Sequence, residues 1–348
     1  MLKFQKLVVA AALSLFAFSA MASNFRAADQ VYVPNAGHIA GGSGTFISDV
    51  FISNLSNDSV TISLIFSGLV DNVSQTKVFN DKFTLAPQER KEFVDFFANT
   101  LGLNSAFGQL IFNACKTGAN CAADQDPITG ISPNFRPISV ETRIFAIPPG
   151  TTLDQKPQTV GQLFAGIPWY NFASSEAPTG YNKIFITGIR STGNGAGTFR
   201  TNLGLVNASQ FSTTTLKVSL YRGNNPSTPL STYQETLPPL GFHQQSLTAM
   251  FPTLTAGPDL TNLFAVVEQL SSQATSDAPQ GCLPNGCPAF LAYGSALDNL
   301  TSDPTTLEPQ FTGQLTDVQI GCIFNPESYT CTQKTGGKPL HRAVKSRN

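Results

Sequence analysis

One segment of this chain occurs twice, and that recurrence limits what the chain can fold into more than any other feature. GTFISDVFISNLS (Gly44 to Ser56) returns as GTFRTNLGLVNAS (Gly197 to Ser209), displaced by 153 residues without a gap. Three additional residues follow in the second copy, and VTISL (Val60 to Leu64) then returns as LKVSL (Leu216 to Leu220). Solenoid repeats are much shorter than this, so the spacing predicts two homologous domains. Phe46, Ser48, Val50 and Ile52 become Phe199, Thr201, Leu203 and Leu205. A mainly apolar face at period two is the pattern of a half-buried strand. Val60, Ile62 and Leu64 become Leu216, Val218 and Leu220, a second strand of the same kind.

Short apolar runs separated by Gly and Pro turns continue on both sides of these segments. In the first copy they lie near Val31–Val33, Lys77–Leu85, Arg90–Val94, Gly108–Asn113 and Ile138–Ile147. In the second they lie near Lys183–Ile189, Thr232–Leu237, Phe242–Leu247, Leu263–Gln269 and Pro288–Leu297, and Leu85-Ala86-Pro87 answers to Leu237-Pro238-Pro239. Strands at this spacing predict a sandwich or barrel. The expected fold is all-β, with two tandem immunoglobulin-like or jelly-roll β-sandwich domains. One short helix is expected within Phe93–Leu103, with Phe96, Phe97 and Leu101 facing the core. The expected domains are 23–178 and 179–321, preceded by a signal peptide over 1–22. A disulfide hairpin and a disordered basic tail follow over 322–348.

The leader carries Lys3 and Lys6, an apolar run from Leu7 to Ala20, and Ala20-Met21-Ala22 before Ser23. That is the order of a cleaved secretory signal, and the run is too short for a membrane anchor. Export to the periplasm or the exterior is therefore expected, with no transmembrane segment after cleavage. Only 12% of residues are charged, which suits an exported β-rich chain kept soluble by hydroxyls and amides. Of the 21 basic residues, two are in the leader and five in the tail from Lys334 to Arg347, so the body sets 14 against 22 acidic residues. A body of that balance is a poor partner for nucleic acid.

Six cysteines form three close pairs: Cys115 with Cys121, Cys282 with Cys287, and Cys322 with Cys331. An even count in an exported chain argues for disulfides, and spacing suggests local pairing among the fifteen pairings possible. The first two pairs fall at matching places in the two copies. No histidine lies near any of them, so no metal is expected, and no cofactor.

Residues with catalytic chemistry are few. Gly193, Gly195 and Gly197 precede a strand, not a helix N-terminus, and read as a turn. Of the three histidines, His341 is in the tail, and His243, beside Pro238-Pro239, is expected to face solvent. His38, in NAGHIAGGSG, stands among glycines that would let a ligand or a backbone approach. A structural hydrogen bond is the plainer role for it. GxSxG and HExxH are both absent. Asp49 becomes Asn202 in the second copy, so no acid pair repeats. Asp124 and Asp126 begin like a calcium loop, but Phe135 stands where the twelfth-position glutamate is needed. Trp169, Tyr170 and Phe172 form either the packing of the seam between domains or a sugar-stacking platform. Asn54, Asn57, Asn72, Asn207 and Asn299 lie in N-x-S/T sequons and read as surface loops.

At Gly44–Ser56 and Gly197–Ser209 the chain resembles uncharacterised exported bacterial proteins. Those carry repeats of a G-T-x-F/W-x-T/S-D/N-L-x-L-x-N-P-S pattern followed by a V-T-V-x-L strand. NAGHIAGGSG is similar to their approach to the repeat, whereas Leu55 and Ala208 stand where proline is usual. The resemblance implies a β-sandwich repeat in an exported protein, and carries no catalytic residues with it. The expected function is a non-enzymatic role in surface adhesion or envelope structure, with a polysaccharide or a cell-surface protein as partner. A carbohydrate-binding pair using Trp169 and Tyr170 is the alternative, and an exported hydrolase with an unrecognised site is the third reading.

Overall fold

The repeated segment becomes the second strand of each half, and the strands around it take the same places twice. The computed structural model describes residues 27–41, 44–126, 131–153, 161–176, 181–193, 195, 197–257, 260–300 and 304–312. The expected signal peptide, the Cys322–Cys331 hairpin and the basic tail lie outside the described residues. The first half contains β1 (Gln30–Gly41), β2 (Gly44–Asn54), β3 (Val60–Val70), β4 (Val73–Leu85), β5 (Arg90–Phe93), β6 (Ala106–Lys116), β7 (Ile138–Ile147), β8 (Gly161–Ala165) and the short β9 (Ile167–Pro168). The second contains β10 (Lys183–Ile189), β11 (Phe199–Asn207), β12 (Ser212–Arg222), β13 (Ser231–Leu237), β14 (Phe242–Ser246), β15 (Leu263–Ala274), β16 (Phe290–Asp298) and β17 (Pro304–Leu307).

The molecule is an all-β sandwich protein. In the second half one sheet runs β10-β15-β12-β13 and the facing sheet β14-β11-β16-β17. In the first half β4-β3-β6-β1 continues into β2-β7-β8, with β5 also paired to β2. Strand for strand, β1 to β8 match β10 to β17. An immunoglobulin sandwich keeps its first, second, fifth and fourth strands in one sheet. Here β2–β5 and β3–β6 pair in that way, but the first strand joins β6 and the seventh joins β2. The order is thus a variant of the immunoglobulin one.

The reason lies in β1. Gln30 to His38 pair with β6, while Ile39 to Gly41 pair with β2, so one strand serves both sheets. The passage falls between His38 and Ile39, and a bulge between Val33 and Ala36, where Pro34 sits, interrupts the pairing with β6 ahead of it. Proline has no N–H for the ladder and is tolerated in sheets at such breaks. β10 has its own register shift between Ile186 and Ile189, with Gly188 at φ +78°.

The polar residues kept in both copies now have a physical reason. Ser48 Oγ accepts from the Gly37 N–H (2.8 Å) and donates to the Gly37 carbonyl (3.0 Å). Thr201 Oγ1 does the same with Arg190, at 3.1 and 2.8 Å. Each hydroxyl replaces ladder bonds where the first strand leaves its neighbour. Asn54 Nδ2 donates to the carbonyls of Asp58 and Ala86 (2.8 Å each), and its Oδ1 accepts from the Ser56 N–H at 3.0 Å. Asn207 Nδ2 donates to the carbonyls of Ser212 (2.7 Å) and Pro238 (2.9 Å), and its Oδ1 accepts from the Ser209 N–H at 3.1 Å. Both asparagines are wholly buried. The sequon reading as surface loops is therefore corrected at Asn54 and Asn207: these side chains tie together the turns at one end of each sandwich.

The expected helix is a single π-helical turn over Phe96–Leu101, and it buries Phe96, Phe97 and Leu101. Phe66, Phe93 and Phe112 pack around it. One apolar core runs from the first half into Val206, Leu240, Leu291 and Tyr293 of the second. A separate core lies between the two sheets of the second half, around Ile184, Leu205, Val218, Phe251 and Phe290.

Candidate functional site

His38 sits on β1 just before the strand passes to the second sheet, and a carboxylate meets it there. Its Nδ1 lies 2.9 and 3.0 Å from the two oxygens of Asp95. The Asp95 side chain is buried, while His38 keeps 20% of its side chain exposed. Asp95 follows β5 in the left-handed region at φ 46°, which aspartate tolerates better than most residues. Its N–H donates to Oδ1 of the fully buried Asp49 at 3.0 Å. A ladder explains the arrangement. In the second half β14 reaches Ser246, opposite Asn202, whereas β5 stops at Phe93, opposite Val50. Asp49 occupies the repeat position of Asn202 and takes up the N–H that the shorter strand leaves over.

Asp49, Asp95 and His38 thus form a chain of groups found in one half only, since Ser191 and Asn202 are the repeat equivalents of His38 and Asp49. Chemically, the carboxylate at Nδ1 orients the imidazole. The hydroxyl nearest in sequence across the pair, Ser48, is committed to the Gly37 backbone. The arrangement ties β1 to the π-helical turn.

Trp169 and Tyr170 lie at the other end of β1. Only 4% and 3% of their surfaces are exposed. Trp169 Nε1 donates to Asp29 Oδ1 (3.0 Å), and the Tyr170 hydroxyl donates to the Ala27 carbonyl (2.9 Å). The two rings meet edge to face, and Phe172 meets Tyr32 in the same way. Stacking a sugar needs an open ring face, and these rings are buried. His38 is not brought to them.

A second polar cluster was not foreseen. His243 Nδ1 lies 3.2 Å from Glu235 Oε2, so the expectation of a solvent-facing His243 is corrected. The Tyr233 hydroxyl donates to the same carboxylate and accepts from Gln245 Nε2. Burial, with the hydrogen bond and the charge of Glu235, pushes the Tyr233 phenol up to about 12. These residues join β13 to β14, the outer strands of the two sheets of the second half. Alternation along β13 (Tyr233, Glu235, Leu237) is the signal that could have found them.

Two disulfides close as expected, Cys115–Cys121 and Cys282–Cys287. They suit a chain that matures in an oxidising compartment. Asp124 Oδ2 accepts from Asn134 Nδ2, and residues 127–130 of the expected calcium loop lie outside the described residues. Among the described residues no group of three or more His, Cys, Asp or Glu is placed to hold a metal ion. No helix among them is long and apolar enough to cross a membrane.

The fold defines an all-β sandwich protein. No family model and no curated protein matches the chain. Among solved structures it is similar to Thermotoga maritima 1070 at 9% identity and a TM-score of 0.25, over 41% of this chain and 95% of that one. It is similar to the BSP domain of a biofilm associated protein at 10% identity and a TM-score of 0.18, over 84% of this chain and 61% of that one. The CupB6 tip adhesin from Pseudomonas aeruginosa gives 7% identity and a TM-score of 0.16, over 85% and 93%. Likenesses of this size carry no argument about function, which rests on the chain itself.

Proposed function

We propose that this is an exported, non-enzymatic protein of two tandem β-sandwich domains, acting in surface adhesion or envelope structure in the periplasm or outside the cell. The observation that carries the reading is the seam between the halves. The Tyr32 hydroxyl donates to the Ala208 carbonyl (3.1 Å), and Ser67 Oγ and Gln109 Nε2 both donate to the Leu240 carbonyl (2.7 and 2.8 Å). The Ser295 hydroxyl donates to Gln162 Oε1 (2.9 Å), and Phe164 packs edge to face on Tyr293. With a core shared across it, this seam holds the halves as one stiff unit. That suits holding or presenting a surface better than closing over a substrate. The matching disulfide clips and the His38–Asp95 tie add to the same stiffness.

The test is to mix residues 23–348 with whole cells and with insoluble polysaccharides, then to assay pellets for protein and supernatants for sugar. Retention on cells without released sugar is the expected result. Released sugar that disappears in His38→Ala would make the protein a hydrolase and end this reading. Retention on a polysaccharide alone would replace adhesion with carbohydrate binding.

A further inference from the structure

We infer that the protein assembles head to tail with further copies of itself, the Leu55–Gln88 end of one molecule seating on the Phe185 face of the next. Within the chain, the end of the second half formed by Ala208 and Leu240 rests on the outer face of β1, β6 and β3. Phe107 and Phe242 meet edge to face beside it. An end meets a face, so the contact is heterologous. Contacts of that kind leave one unused copy of each surface unless they close into a ring.

The repeat identifies the unused copies. Ala208 corresponds to Leu55, Leu240 to Gln88, and Tyr32 to Phe185. The backbone agrees: Leu240 and Gln88 both take the left-handed conformation, at φ 54° and 58°. Ala208 and Leu240 are buried by the in-chain contact, whereas Leu55 is 54% exposed and Gln88 is exposed. On the receiving side, alternation along β10 and β15 turns Phe185, Phe264 and Val266 away from the core that holds Ile184, Ile186, Ala265 and Val267. Tyr221 stacks on Phe264 there, with ring centroids 5.0 Å apart. These aromatic groups stay partly open to solvent. A second copy is the occupant that continues the in-chain interface, placing Leu55 on Phe185 where Ala208 meets Tyr32.

The inference is independent of what the protein adheres to, and its test reads only self-association. Residues 23–348 are followed by sedimentation velocity over rising concentration, with melting curves showing that each variant folds. The wild type is expected to grow past the dimer without a closed end-point. Leu55→Glu and Phe185→Glu, each with one damaged surface, are expected to stay monomeric alone. Their equimolar mixture pairs the intact surface of each and should stop at the dimer. A wild type that stays monomeric at every concentration overturns the inference. So does a closed dimer indifferent to both substitutions, or a mixture that remains monomeric.

Discussion

Asn54 and Asn207 do the same work in the two halves, each joining three stretches of chain that have no sheet to bond them. Removing either amide strands two carbonyls and an N–H in a buried place, at about 1–3 kcal/mol for each group left unpaired. Asn207→Ala and Asn54→Ala should therefore each destabilise by about 3 kcal/mol, read as a lowered urea midpoint. A loss under about 0.5 kcal/mol would mean the turns are held by something else. The tyrosines supply a pH prediction. Burial raises the Tyr181 and Tyr293 phenols, Tyr293 well above the usual value, and Tyr233 stands at about 12. Groups raised on folding hold more protons folded than unfolded above pH 10, so stability falls as pH rises from there through about 12. Ultraviolet titration of the native protein should leave the Tyr233 and Tyr293 phenols neutral at pH 10.5 and release them on unfolding. Normal ionisation of all seven tyrosines in the native state would contradict this.

Among the elements, the first strand of each half breaks its ladder once and rejoins the same neighbour, and β1 then runs on past His38 to pair with the other sheet. The apolar alternation of β2 and β11 was visible in the repeat, but the break at Pro34 and the exchange of sheets after His38 were not. Proline marks a break without saying where the strand goes next. The disulfide clips act at this scale too. Closing a loop of about six residues removes little unfolded-state entropy, about 2 kcal/mol by the loop-entropy model. Cys115→Ser with Cys121→Ser should cost that much in urea and leave the far-ultraviolet circular dichroism unchanged. A collapse of the fold would show the clip to be a core element. Across one sheet, Glu268 lies between Lys183 (2.9 Å) and Lys217 (3.2 Å), and those hydrogen bonds hold its carboxyl below the usual value. The stability this contributes is present above about pH 4.5 and is lost as pH falls below it.

At the scale of the whole molecule the seam governs behaviour. Phe164 packs on Tyr293 across halves that a reading by domains would treat as separate, and Trp169 is buried in the same core. Trp169→Ala should destabilise by about 3–5 kcal/mol, the usual cost of removing a large buried ring. Thermal unfolding should remain a single transition. Two resolved transitions, or an unchanged melting temperature, would show the halves to be loosely joined and would reopen the platform reading.

What the sequence determined by itself was local: where strands run, which face of each is apolar, where turns fall, and which cysteines lie close enough to bond. These follow from periodicity and turn chemistry, which act over a few residues. The repeat added that this pattern occurs twice, and the strand orders of the two halves agree with it. Only the tertiary structure decided what depends on distant chain coming together. It brought Asp95 to His38 across 57 residues and Glu235 to His243, and buried the Trp169 group that composition alone left open. Burial and pairing across a sheet are set by which face another element covers, and no residue carries that information alone. The same half-repeat is covered at Ala208 and open at Leu55, a difference made by packing and not by pattern.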